Sequence, residues 1–140
     1  MSATTSSSRS PRGLLDTSVL IASEAGRRLD TEKLPEESFL CVITLAELRA
    51  GVLAAVDTDT RARRLRTLEA LGDVAVLPVD DGAAAEWARL RYRLHEAGRR
   101  VNVNDLWIAS VALANDLPIV TQDADYDALA DLGGPEVIRV

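Results

Sequence analysis

Short apolar runs recur along this 140-residue chain, each only a few residues long and separated by longer amphipathic stretches. Residues 13–16, 38–43, 74–79, 118–121 and 136–140 read as strands, the third broken by Pro78. The stretches between them carry helical spacing: residues 18–25, 44–56, 60–71, 82–97 and about 104–114, with shorter helical pieces at 31–34 and 125–132. In the helix over 82–97, Trp87, Leu90 and Leu94 form one stripe, and Gly98 stands where a left-handed cap belongs. Runs that are apolar throughout, rather than alternating, indicate strands covered on both faces. Strand and helix alternate, so the expected fold is α/β: a single domain with a central, mostly parallel twisted sheet flanked by helices on both faces. The expected domain covers 13–140. Residues 1–12 are Ser/Thr-rich, have no apolar core of a secretory signal, and read as a disordered extension.

Each apolar run gives way to a carboxylate. Asp16 follows Leu14-Leu15, Glu47 follows the run at 39–43, Asp105 opens an apolar helix, and Asp123 follows Ile119-Val120-Thr121. Singly, Asp16, Glu47 and Asp105 each have a structural explanation. Asp16 can cap a helix, and Thr44-x-x-Glu47 has the form of a capping box. Asp105 suits the positive end of a helix dipole. Asp125 is better placed than Asp123 to cap the piece at 125–132, which leaves Asp123 without a structural task. Together they fall at one edge of the sheet, where open α/β sheets bind ligands. Two carboxylates 4 Å apart repel by roughly 4 kcal/mol at an effective dielectric of 20, so such a cluster calls for a cation. Oxygen-only ligands suit Mg²⁺ or Mn²⁺, one ion or two.

Composition narrows the chemistry. The single histidine, His95, falls within a helix, which excludes a two-histidine ribonuclease mechanism in one chain. The single cysteine, Cys41, lies in an apolar strand, excludes an internal disulfide and suits the cytosol. There is no Cys/His zinc cluster, no phosphate-binding Gly-rich loop and no membrane-length apolar stretch. The net charge of −6 disfavours a nonspecific nucleic-acid binder, although two divalent ions would offset four of those charges.

The segments Leu14-Leu15-Asp16-Thr17-Ser18, Ile43-Thr44-Leu45-Ala46-Glu47, Asn104-Asp105-Leu106-Trp107 and Val120-Thr121-Gln122-Asp123, in this order and spacing, resemble the PIN-domain family. More narrowly they resemble the toxin ribonucleases of VapBC toxin–antitoxin modules. The resemblance runs over about residues 13–140; the stretch before Arg12 departs from it. It implies that Asp16, Glu47, Asp105 and Asp123 are the acidic metal-site and catalytic residues, with Asp125 secondary and Thr17, Ser18 and Thr121 in support. It also implies a Mg²⁺- or Mn²⁺-dependent endoribonuclease toxin acting on tRNA or rRNA, a cognate antitoxin and a homodimer.

On that basis Asp16, Asp105 and Asp123 are expected to hold the principal ion. Glu47 is expected to act through water, and Thr121 to be available to the leaving oxygen. Arg99 and Arg100, just ahead of Asp105, are candidate RNA contacts, whereas Arg61, Arg63, Arg64 and Arg66 read as a solvated helix face. Val52, Leu53 and Val56 are candidates for a partly exposed antitoxin groove. The competing readings are a receiver-type phosphoacceptor, which lacks its late lysine because Lys33 is the only one, and a degenerate PIN fold that binds RNA or assembles without catalysis.

Overall fold

The computed structural model describes residues 9–140. Five strands, β1 (Arg12–Leu15), β2 (Glu37–Cys41), β3 (Ala75–Leu77), β4 (Ile119–Thr121) and β5 (Val137–Arg139), form one sheet in the order β3-β2-β1-β4-β5. Every neighbouring pair is parallel. From the central β1 the chain first builds outward through β2 and β3, then crosses over to β4 and β5. The strand order therefore reverses between β1 and β4, the position at which such sheets open a crevice.

Five helices cover the sheet: α1 (Thr17–Glu24), α2 (Val42–Ala54), α3 (Thr58–Ala70), α4 (Asp81–Ala97) and α5 (Val103–Ala114). A 3-10 turn at Thr31–Lys33 and a 3-10 segment at Asp125–Leu132 complete the fold. Successive strand residues point to opposite faces. Leu14, Cys41 and Ile119 enter one core with Leu90, Leu106 and Leu129. Leu15, Leu40 and Val120 enter the other with Val19 and Leu20. Both faces are thus apolar and covered, as the continuous runs require. α4 and α5 lie antiparallel: a Cβ on Gly82, at the start of α4, would meet that of Ala114, the last residue of α5, at 3.5 Å. Trp87 of α4 stacks on Trp107 of α5 with centroids 4.9 Å apart and planes 18° from parallel.

Most element boundaries fall within about two residues of expectation, and two of the differences have a clear physical cause. The ordered fold starts before residue 13: Arg12 pairs with Glu37, and the carbonyls of Ser10 and Pro11 accept from the N–H groups of Glu36 and Glu37. Residues 1–8 of the expected extension lie outside the described residues. The second strand ends at Cys41 rather than Ile43, because Cys41 takes the cap position of α2, its Sγ accepting from Ile43 N–H at 3.4 Å. The apolar run Phe39–Ile43 continues unbroken through this junction, so periodicity could not place it. Cys41 is fully buried, which pushes its thiol pKa up. Gly98 closes α4 in the left-handed conformation, φ 69°, as its sequence position suggests.

Candidate active site

The site is assembled where β1 and β4 end. Asp16 follows β1 and caps α1, accepting from Ser18 N–H at 3.4 Å, so the simple cap reading holds as far as it goes. A cap is normally solvated, however, and Asp16 is only 3% exposed. Its Oδ2 also accepts from Ser18 Oγ at 2.7 Å and Thr121 Oγ1 at 3.0 Å, and its Oδ1 from the Tyr126 hydroxyl at 2.8 Å. Neighbouring backbone fixes the direction of two of these donors. Gln122 N–H donates to Ser18 Oγ and Asp123 N–H to Thr121 Oγ1, so each hydroxyl turns its own proton to Asp16. The buried Asp16 carboxylate thus has four donors on its two oxygens. Thr121 is fully buried with its proton committed to Asp16, so the expectation that it serves the leaving oxygen is corrected.

Glu47 does not cap a helix. Because α2 begins at Val42, Thr44 lies inside it and is fully buried, which removes the capping box. Glu47 instead accepts from Thr17 Oγ1 at 2.6 Å and from Asn104 Nδ2 at 3.2 Å. These donors adjoin Asp16 and Asp105 in sequence, so Glu47 is fastened to both arms of the site. Asp105 lies in the first turn of α5, whose cap is Asn102, and its Oδ1 is 3.3 Å from the Tyr126 hydroxyl. Burial, then the charges of Asp16, Asp125 and Glu47, push the Asp105 pKa up to about 6, against a smaller opposing effect of Tyr126. Asp123 follows β4, and its pKa is raised by burial and by Asp125 and Asp16, with Arg27 and Arg139 opposing. Asp125 is exposed and caps nothing; the 3-10 segment it opens has no side-chain cap.

The structure therefore brings Asp16, Asp105, Glu47 and Asp123 into one coupled cluster, with Asp125 at its rim. Among the described residues, no three acids are gathered tightly enough to form a ready ligand shell. The donor chemistry nonetheless fits a hard cation. Every ionisable group in the cluster is a carboxylate apart from Tyr126, and burial together with the neighbouring acids raises the pKa of both Asp105 and Asp123 while the nearest arginines only partly oppose the shift at Asp123.

Sequence reasoning missed Tyr126 and Asn104. Tyr126 is 1% exposed and its ring lies in the core. The available signal was the pair Tyr126 and Leu129, three residues apart, which share one face of a 3-10 helix and are both buried. Asn104 stands in the Asn104-Asp105 segment and at the start of a helix, and neither reading assigns its side chain a task.

The candidate RNA contacts divide. Arg99 spends its guanidinium on Asp131, at 2.6 and 3.0 Å, and on the Ala128 carbonyl, so it ties the chain just past α4 to the 3-10 segment. Arg100 is exposed and makes no ion pair among the described residues. Arg100 shares a broad cleft with Arg91, His95 and Trp87 that reaches Val103 and Leu106 beside Asp105. Arg61 and Arg64 are not merely solvated. They donate to carbonyls at the end of α2, Arg61 to Ala55 at 3.0 Å and Arg64 to Gly51 at 2.6 Å. Of the candidate groove residues, Val52 is buried, whereas Leu53 and Val56 are 83% and 95% exposed.

The sequence pattern of the PIN domain matches residues 13–132. The chain is 58% identical over 128 residues to Ribonuclease VapC5 of Mycobacterium tuberculosis, covering 91% of this chain and 95% of the relative. It is 41% identical over 130 residues to Ribonuclease VapC4 of the same organism, covering 92% and 97%. Its fold matches a chain in the crystal structure of the VapBC-5 toxin–antitoxin system of M. tuberculosis with a TM-score of 0.86, at 55% identity over 93% of this chain and 99% of that one.

Proposed function

The chain belongs to the PIN-domain family, and from that premise we propose that it is the toxin ribonuclease of a VapBC-type module, a Mg²⁺- or Mn²⁺-dependent endoribonuclease that cuts tRNA or rRNA in the cytoplasm. The observation that carries this reading is Asp16: a nearly buried carboxylate at the reversal point of the sheet, held by three hydroxyls and crowded by further acids. Asp16, Asp105 and Asp123 would hold the ion, with Glu47 acting directly or through water and Asp125 in a secondary place. When bound, such a cation neutralises charge on the scissile phosphate and acidifies water. Glu47, fixed at both oxygens by Thr17 and Asn104, is an acceptor suited to orienting the attacking water. Water as the nucleophile leaves 5′-phosphate and 3′-hydroxyl ends.

The antitoxin is the second partner. Between α1, α2 and α3 a cavity of about 250 Å³ is lined by Ile21, Leu48, Gly51 and Arg64 and runs to Thr17 and Glu47. The exposed Ile21, Leu53 and Leu65 lie on the same helices and Val56 on the turn between α2 and α3, so a segment running along these helices and through that cavity would cover apolar surface and reach the site.

The test is to map RNA ends after brief induction, with Asp16→Asn as control. Cleavage with 5′-phosphate ends, lost in the variant, is expected. A 2′,3′-cyclic phosphate would overturn the mechanism. The one other reading is a PIN fold that binds RNA without cutting it; no metal-dependent cleavage in that assay would select it.

A further inference from the structure

Tyr126 is the one site residue that neither the motif nor the proposed chemistry uses. Its hydroxyl donates to Asp16 Oδ1 at 2.8 Å and stands 3.3 Å from Asp105 Oδ1, so a single phenol touches one oxygen of each of two acids brought from distant parts of the chain. The ring cannot drift. It is 1% exposed, packed in the core with Leu129, and its backbone sits in a segment tied down from outside. Arg93 donates to the Leu132 carbonyl at 2.9 Å, Arg99 grips Asp131, and Arg139 grips Asp127. The approach is from the core side, and Ser18 and Thr121 already occupy Asp16 Oδ2. Asp105 has no comparable set: the Tyr126 hydroxyl is its only side-chain partner among the described residues. Without it, the Asp105 carboxylate is free to turn away from Asp16, the direction that relieves their repulsion.

We propose that Tyr126 is a positioning residue which holds the Asp16 and Asp105 carboxylates converged so that one divalent cation can be bound between them. The inference rests on the metal-dependent reading above. Hydrogen-bond partners behind metal ligands typically change affinity by about 10–100-fold when removed. Tyr126→Phe keeps the ring and removes only the hydroxyl.

Mn²⁺ binding to the metal-free protein, measured by calorimetry, should weaken about tenfold or more in Tyr126→Phe, with kcat on RNA falling at subsaturating Mn²⁺ while KM for RNA stays unchanged. A second measurement needs no change at this position. With Tyr92→Phe, Tyr126 is the only tyrosine, and its near-ultraviolet absorption should shift on Mn²⁺ titration with the same midpoint as the heat. Equal Mn²⁺ affinity in parent and Tyr126→Phe, or a tyrosine band unmoved by a saturating ion, overturns the proposal and leaves the nuclease reading standing. A parent protein that binds no Mn²⁺ overturns both.

Discussion

Asp16 and Asp105 show how differently one side-chain type behaves in two settings a few ångströms of hydroxyl apart. Asp16 is buried and fully supplied with donors; Asp105 is half-buried, crowded by three other acids and weakly supplied. The Asp105 pKa of about 6 lies above its unfolded value near 3.9, so the metal-free fold favours its protonated form. The stability this contributes is fully present below about pH 4 and is lost as pH rises through about 6. Asp105→Asn should therefore stabilise the metal-free protein at pH 8 by about 1–2 kcal/mol, solvent screening of a half-buried group included, or about 5 °C in Tm. The advantage should vanish near pH 4, and saturating Mn²⁺ should reverse the ranking at pH 8. Thermal melts of both proteins at the two pH values, with and without ion, check each part. At this scale the four principal acids were legible, because a carboxylate just beyond an apolar run is visible in one dimension. Tyr126 was not: nothing in Asp125-Tyr126-Asp127 says that the phenol turns inward to meet residues 110 and 21 positions away.

Among the elements, helix ends carry more of the design than helix faces. α2 starts two residues earlier than its sequence suggests, and that shift takes Glu47 out of a cap and places it one turn into the helix, where Thr17 and Asn104 can reach it. The far end of α2 has no glycine stop, and two of its last four carbonyls are covered by arginines of α3. A row of arginines at helical spacing looks like a solvated face in sequence, since the carbonyls it serves belong to another helix. Arg64→Ala should cost about 1 kcal/mol, or about 4 °C in Tm, through the exposed end of α2. Hydrogen exchange should speed in residues 51–56 while the amides of β1 and β4 stay protected. Uniform acceleration over the whole chain would contradict a local role.

For the molecule as a whole, the order β3-β2-β1-β4-β5 explains why residues from four separated segments meet. Alternation of runs was enough to predict a parallel sheet with two covered faces, but strand order is a matter of crossovers, which composition does not encode. An acidic chain of net charge −6 must hold RNA through local charge rather than overall attraction. Arg99 is paired with Asp131, so among the described residues Arg91 and Arg100 are the arginines of the cleft without an ion pair. Arg100→Ala should weaken RNA binding evenly across sequences and lower the slope of log affinity against log salt by about 1. Arg99→Ala should leave that slope unchanged. Titrations at several salt concentrations with the inactive Asp16→Asn background separate the two.

Cys41, sealed at the junction of β2 and α2, gives the protein a chemical clock. It is the only thiol in the chain, it is fully buried, and its raised pKa slows reaction further. A thiol reagent can reach it only when the core around it opens, so the alkylation rate counts openings that expose the junction of β2 with the helix that carries Glu47. Mn²⁺, or an antitoxin segment bound at the groove, should slow alkylation by the same factor by which it stabilises the closed form. The fraction of toxin in its guarded state then becomes a quantity read by mass spectrometry, with no RNA present.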